Sequence, residues 1–439
     1  MRTPARSRAA ALAAAAAVAV LALGVTACGG GGGDEDQAGG VVRITMWHGQ
    51  NDIAKKALDG LVKDFNASHP KIRVEASSGG VLADQMLQKI TAGLAAGSYP
   101  DIAYIFGSDV ANVARSDKVA DLTETVKDPA FQWSDYYPAA RDAVTIDGRV
   151  RALPALIDSM AIVYNRRLFE RAGVPAPRAG WTWGDYRATA KRLTDRGAGV
   201  FGTGWPAVGD EDTVWRLWPM VWQGGGDVVA RDGKHVGFDG PSGLRSLTVA
   251  GDLAVTDKSL YVDTKPGSEQ MYQVFNSNKM AMVPTGPWQL PEFDDNDIDY
   301  GVAPLPTFGG PPVTIAGPDT WTVFDNGDAR RKAAAEFVQW LNQPAQDARW
   351  DLEAGSLPLR KATLEQPAWR KHLKESPQVQ VFIDALQDAR VRPTIRAYPK
   401  VSEATGQAIV AVLLGKATPQ EGLKDAVQKS NAALAAPAP

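Results

Sequence analysis

The side chains best placed for chemistry in this chain are aromatics and carboxylates. Thirteen tryptophans are present, and Trp181, Trp183, Trp205, Trp215, Trp218 and Trp222 fall within 42 residues. Trp47 closes a strand-like run, with Asn51 in the turn that follows. Phe106, Ser108 and Asp109 end another such run, and Trp288 follows the tight step Gly286-Pro287. Flat rings beside Asp and Asn side chains suit a ligand with apolar C–H faces and a rim of hydroxyls. Two carboxylates such as Asp109 and Asp158 would also be the minimum for a secreted glycoside hydrolase. Nothing in the sequence drives their pKa values apart, so no catalytic residue is assigned.

Other chemistries are excluded more firmly. There is no Gly-x-Ser-x-Gly elbow, no His-Glu-x-x-His and no Gly-x-x-x-x-Gly-Lys-Ser/Thr loop. His48, His69, His235 and His372 are scattered without i, i+4 partners, so no metal site is expected, and no cofactor is implied. Cys28 is the single cysteine, which rules out an intrachain disulfide and CxxC chemistry.

The start of the chain sets the expected compartment. Arg2, Arg6 and Arg8 precede an apolar run from Ala9 to Leu23. That run is shorter than the ~20 residues of a spanning helix and reads as the core of a signal peptide. Val25-Thr26-Ala27-Cys28 resembles the bacterial lipobox, which is cut before a cysteine that then carries lipid. The expectation is a signal peptide over 1–27, a lipid-anchored flexible tether over 28–40, and a protein held on the extracellular face of the cell membrane. Loss of three arginines takes the net charge from −3 to −6, which argues against nucleic acid as a partner. A mature chain of this length favours two domains.

The elements that must position the candidate residues alternate between strand and helix. Val41 to Trp47, Ile72 to Glu75 and Ile102 to Phe106 read as strands. Between them, Ala54, Ala57, Leu58, Leu61, Val62 and Phe65 line one helical face, and Leu82, Met86, Ile90 and Leu94 another. That order implies βαβ crossovers and an α/β lobe. Further strands are expected at Ala152–Ile157, Ala161–Tyr164, Lys279–Val283 and Tyr300–Leu305. The last hundred residues are mainly helical, with a capping box at Thr418-Pro419-Gln420-Glu421.

Several motifs in order along the chain resemble the extracellular solute-binding proteins of carbohydrate ABC importers, the maltose-binding-protein group. They are Ile44 to Gly49, Phe65-Asn66-Ala67-Ser68-His69-Pro70, Gly97 to Asp101, Asp147 to Pro154, Val163-Tyr164-Asn165, Gly286-Pro287-Trp288 and Tyr300 to Pro306. The resemblance covers roughly residues 41 to 435. It implies a two-lobe periplasmic-binding-protein-like fold of type II, α/β in class, with hinge-connected lobes and a central ligand cleft. The implied boundaries are an N-lobe over 41–156, a C-lobe over 157–318, an N-lobe helical return over 319–388 and a C-lobe return over 389–439. It also implies a monomeric binder that delivers a carbohydrate ligand to ABC importer permease subunits.

By the same resemblance, Phe106, Ser108, Asp109 and Asp158 lie where the family meets its ligand. Trp215, Trp288 and Tyr398 match aromatic positions there, Asp319 sits just past the second crossing, and Trp47 and Asn51 flank the first strand's end. The chain departs from maltose-binding protein at Asn51-Asp52, which lacks that protein's acid–lysine pair. Trp47-His48 also resembles relatives that bind glycerol phosphate compounds. A phosphate would favour basic residues, and only Arg216 and Arg360 stand out among those near the candidates. The reading is therefore a neutral saccharide, with a glycerol phosphate-type ligand as the alternative.

Cys28→Ser should release the protein into the medium with its stability unchanged. Cell fractionation checks this, and membrane retention of that variant with its signal removed would contradict the lipobox.

Overall fold

The computed structural model describes residues 40–50, 52–80 and 83–436. Cys28, the signal segment, nearly all of the tether and Asn51 lie outside those residues. Among the described residues no helix is long and apolar enough to cross a membrane.

The strands sort into two sheets. The first has the order β2-β1-β3-β13-β6, made of β1 Val42–His48, β2 Ile72–Ser78, β3 Ile102–Ile105, β6 Leu153–Leu156 and β13 Asp319–Val323. β4 Thr145–Ile146 and β5 Arg149–Val150 form a hairpin beside it. The second centres on β10-β7-β11, with β7 Ala161–Asn165, β10 Met282–Thr285 and β11 Tyr300–Ala303. A parallel pair, β8 Thr203–Pro206 and β9 Leu260–Asp263, joins its edge where the Met282 N–H donates to the Gly202 carbonyl at 3.1 Å.

Helical periodicity explains how the first sheet is covered. In Asp52–Ser68 the stripe Ala57, Leu58, Leu61 and Phe65 is buried, and the Phe65 ring meets Phe337 at 4.7 Å. Phe337 comes from Asp328–Leu341, whose Ala334, Val338 and Leu341 are also buried. The parallel pairing of β1 with β2 and β3 follows the expected crossovers. β13 instead runs antiparallel to both of its neighbours, β3 and β6, so β6 points the same way as β1, β2 and β3. The reversed strand is the one by which the chain returns from the second sheet, so it does not belong to a continuous βαβ series. The strand expected at 279–283 is shifted: Met280 bridges to Phe201, and β10 begins at Met282.

The chain passes between the sheets three times. β6 leads to β7 through Ile157–Met160, and β11 leads to β13 through the short strand β12 Thr314–Ile315. A third passage runs through β14 Ala389–Arg390, which pairs parallel with β12. Ser159 bridges to Ala316, so the first two passages lie side by side. The helices over 367–388 pack Trp369, Phe382 and Ile383 into one cluster with Val163, Phe275 and Phe293 of the second sheet's layer. That part of the helical return therefore contributes to the second sheet's core.

Near the C-terminus, Thr418 accepts from the Glu421 N–H at 3.2 Å while the Glu421 carboxylate accepts from the Thr418 N–H at 2.9 Å. Pro419 occupies the first helical turn. Thr418→Ala should cost about 1 kcal/mol, read as a lower urea midpoint with an unchanged slope.

Candidate functional site

The strand order fixes where polar groups collect. β13 begins with Asp319 and runs antiparallel to β3, so Asp319 sits beside the carboxyl end of β3 and the turn at 106–109. Open α/β sheets meet ligands at that end of the strands. The Asp319 carboxylate accepts from the Tyr104 hydroxyl and, at 2.8 Å, from the Gly107 N–H. A side chain at Gly107 would collide with the Pro318 carbonyl at 2.4 Å, so glycine is what lets the turn approach the crossing. Burial and then the Asp319 carboxylate push the Tyr104 phenol up, which keeps it a donor.

Asp158 lies in the first passage, where its carbonyl accepts from the Gly317 N–H of the second at 2.9 Å. The residue is buried, and its carboxylate Oδ1 has no hydrogen-bond partner. Burial, followed by repulsion from Asp319, raises its pKa well above the usual carboxylate range. Burial raises Asp319 as well, against the opposing pull of Tyr104 and Arg392.

The aromatic side of the site comes from the second sheet's layer. A Cβ at Gly317 would sit 3.6 Å from the Trp215 ring, and Trp215 meets Trp288 at 5.4 Å with the planes inclined by 59°. Trp288 follows β10 and folds back over its own backbone, where a Cβ at Gly286 would lie 1.8 Å from the indole. Only glycine permits that turn, which gives Gly286-Pro287-Trp288 its local reason. The Asp158 backbone, Gly317, Trp215 and Trp288 thus follow one another along the site. The other tryptophans of the 181–222 cluster hold the core: Trp181, Trp183, Trp205, Trp218 and Trp222 each donate the indole N–H to a fixed acceptor.

Other candidates are distributed differently. Phe106, Ser108 and Asp109 make the turn after β3, with the Asp109 N–H donating to the Phe106 carbonyl at 2.8 Å. Ser108 and Asp109 are buried, and Phe106 packs edge-on to Tyr104 at 5.3 Å. Trp47 and Phe106 both pack against the cluster around Met86 and Ile105. The Trp47 ring packs in the layer of the helix Ala83–Ala96, under the Lys89 ammonium at 4.2 Å. Tyr398 is fully buried and donates to Glu211 at 2.8 Å while accepting from Trp218 at 3.0 Å.

Glu211 and Arg392 were missed in the sequence. Arg392 Nη1 donates to Glu211 Oε1 at 3.0 Å, and its Nη2 lies 2.6 Å from where a Gly107 Cβ would be. Burial opposes its charge, but Glu211, Tyr398 and Asp319 outweigh that and raise its pKa. The only cue was an arginine just past the third crossing. The two cations singled out from the sequence are structural. Arg216 is buried and donates to the Asp212 carbonyl at 2.7 Å and the Pro284 carbonyl at 3.2 Å. Arg360 donates to the Phe131 carbonyl at 3.1 Å and lies over the Tyr136 ring.

Two sheet-based lobes, three strand passages and polar groups gathered at those passages define a two-lobe solute-binding fold. The chain belongs to the bacterial extracellular solute-binding protein family, whose profile matches residues 50–348. It is 27% identical over 383 residues to a putative binding protein of Brucella abortus, covering 85% of this chain and 88% of that one. It is 22% identical over 423 residues to the sn-glycerol-3-phosphate-binding periplasmic protein UgpB of Pectobacterium atrosepticum, covering 89% and 91%. Among solved structures it resembles the cyclic alpha-maltosyl-1,6-maltose binding protein of Arthrobacter globiformis, with a TM-score of 0.78 and 28% identity over 90% of this chain and 99% of that one. Its fold also matches UgpB of Mycobacterium tuberculosis, with a TM-score of 0.80 at 20% identity over 90% and 99%.

A buried carboxyl with a raised pKa makes stability fall as pH rises through that pKa, because the folded state holds the extra proton. Asp158→Asn removes this. The variant should be more stable than the parent at pH 8, with the gain disappearing as pH falls toward ~4, the carboxyl's value in the unfolded chain. Urea midpoints across that range check it, and identical profiles would show that Asp158 is solvated.

Proposed function

We propose that this chain is the substrate-binding lipoprotein of an ABC importer and captures a neutral sugar or oligosaccharide between its lobes for delivery to the permease. The observation that carries the ligand class is an unpaired, buried Asp158 Oδ1 in the same stretch of the strand passages that approaches the Trp215–Trp288 pair through Gly317. A hydroxyl would satisfy that acceptor while the sugar's C–H face covers an indole. Glu211 pairs with the Arg392 guanidinium and takes up its charge, which disfavours an anion. In this reading Phe106, Ser108, Asp109, Asp158, Trp215, Trp288 and Asp319 contact ligand. Tyr398 acts through Glu211, and Trp47 supports the first strand.

The lobes divide as 41–156 with 319–388, and 157–318 with 389–439, the helices over 367–388 reaching across to the second sheet's core. Lipid on Cys28 holds the monomer at the extracellular face of the membrane. The ligand leaves unaltered: burial raises Asp158 and Asp319 in the same direction, whereas an acid–base pair requires pKa values pushed apart. Arg392 favours the second reading, a glycerol phosphate-type ligand, because its guanidinium lies beside Asp319 and the 106–109 turn.

A thermal-shift screen of neutral oligosaccharides against glycerol phosphodiesters separates the two. A true ligand stabilises by about 2.7 kcal/mol at a hundredfold excess over Kd. With the responding sugar, Trp288→Ala should weaken binding by ~2 kcal/mol, about thirtyfold in Kd. A destabilised variant with normal affinity would return Trp288 to the core, and a response only to phosphodiesters would overturn the saccharide.

A further inference from the structure

The Glu211 carboxylate is held by three side chains. Its Oε1 accepts from Arg392 Nη1 at 3.0 Å and from the Tyr398 hydroxyl at 2.8 Å, and its Oε2 accepts from the Ser402 hydroxyl at 2.5 Å. Tyr398 and Ser402 are buried and stand one turn apart on the helix Tyr398–Leu413. Glu211 opens the helix Glu211–Trp215, and Trp215 closes it. One carboxylate therefore ties the helix that ends in Trp215 to the C-terminal return and to the cation just past the third passage.

Arg392 carries this anchor toward the first sheet. Its Nη2 stands beside Gly107, and among the described residues that nitrogen has no hydrogen-bond partner. The side chain is 10% exposed, so an edge of the guanidinium reaches solvent. Asp319 acts on the same cation from β13. A guanidinium in this setting keeps its N–H donors while the adjacent carboxylate cancels much of its charge. A ligand hydroxyl can accept from such a donor at no electrostatic cost. A phosphate that approaches it also meets the Glu211 carboxylate, and like charges brought together oppose association.

We propose that Glu211 sets the charge selectivity of the cleft: it fixes Arg392 in place as a neutralised donor, so that loss of the carboxylate charge alone turns the guanidinium into an anion site. This rests on the reading that ligand lies between the lobes, and adds to it the residue that decides which charge is admitted. Glu211 is a positioning residue, acting through Arg392 and through the helix that bears Trp215. Glutamine is the informative replacement, because it keeps the length of the side chain and an oxygen that can accept from Tyr398 or Ser402, and removes only the charge.

Titration of the mature protein with inorganic phosphate at low ionic strength tests this. Glu211→Gln should bind phosphate at least about tenfold more tightly than the parent, the worth of one hydrogen bond to a charged group. The gain should shrink as salt is added and vanish when Arg392→Gln is combined with it. Ser402→Ala loosens the same anchor but keeps the charge, so its phosphate response should stay at the parent's level. A folded Glu211→Gln that responds to phosphate as the parent does would overturn the proposal. So would an equal gain in Ser402→Ala, which would trace the effect to packing; that arm decides the matter even if Glu211→Gln does not fold. Failure of the saccharide reading looks different: no sugar would stabilise the parent, whatever phosphate does to the variants.

Discussion

Carboxylates out of water at the strand passages are the constraint around which the rest of this molecule is arranged. Asp319 is satisfied by a phenol and a backbone N–H, and that arrangement needs Tyr104 on β3 and glycine at 107. Arg392, held by Glu211, supplies positive charge nearby. Asp158 has no such cover for Oδ1. An unpaired buried acceptor costs on the order of 1–3 kcal/mol, so the folded chain keeps an unmet polar demand where its two sheets join.

The aromatic wall follows from the same place by steric logic. Gly317 brings the second passage against Trp215, and Gly286 lets Trp288 lie over its own backbone. The remaining tryptophans of that region are pinned by their N–H groups to carbonyl, carboxylate, amide or hydroxyl acceptors. Indole rings fixed in this way make a firm base, on which the Trp215–Trp288 pair keeps its tilt.

Much of this was legible in the sequence because periodicity reports burial directly. The Ala57–Phe65 stripe is buried as expected, and the Thr418 capping box closes as its spacing implied. Motif order carried the family. What escaped was long-range. Arg392 and Glu211 stand 181 residues apart, and nothing local marks either as a partner. Trp47 shows the limit of reasoning from a strand's end, since alternation along β1 points its ring toward the helix Ala83–Ala96. The antiparallel entry of β13 depends on how the chain returns between sheets, which local sequence does not encode. Buried Arg216 and Arg360 likewise look surface-active in sequence, yet they stitch backbone carbonyls together.

The central claim is that one ligand touches both lobes across the passages. A ligand shifts a conformational equilibrium only through different affinities for its states, and a bridging ligand must favour the closed one. Small-angle scattering of the mature protein, with and without a saccharide identified by thermal shift, reads this most directly. The account predicts a smaller radius of gyration at saturation. A radius unchanged at saturation would contradict it and place the ligand within a single lobe.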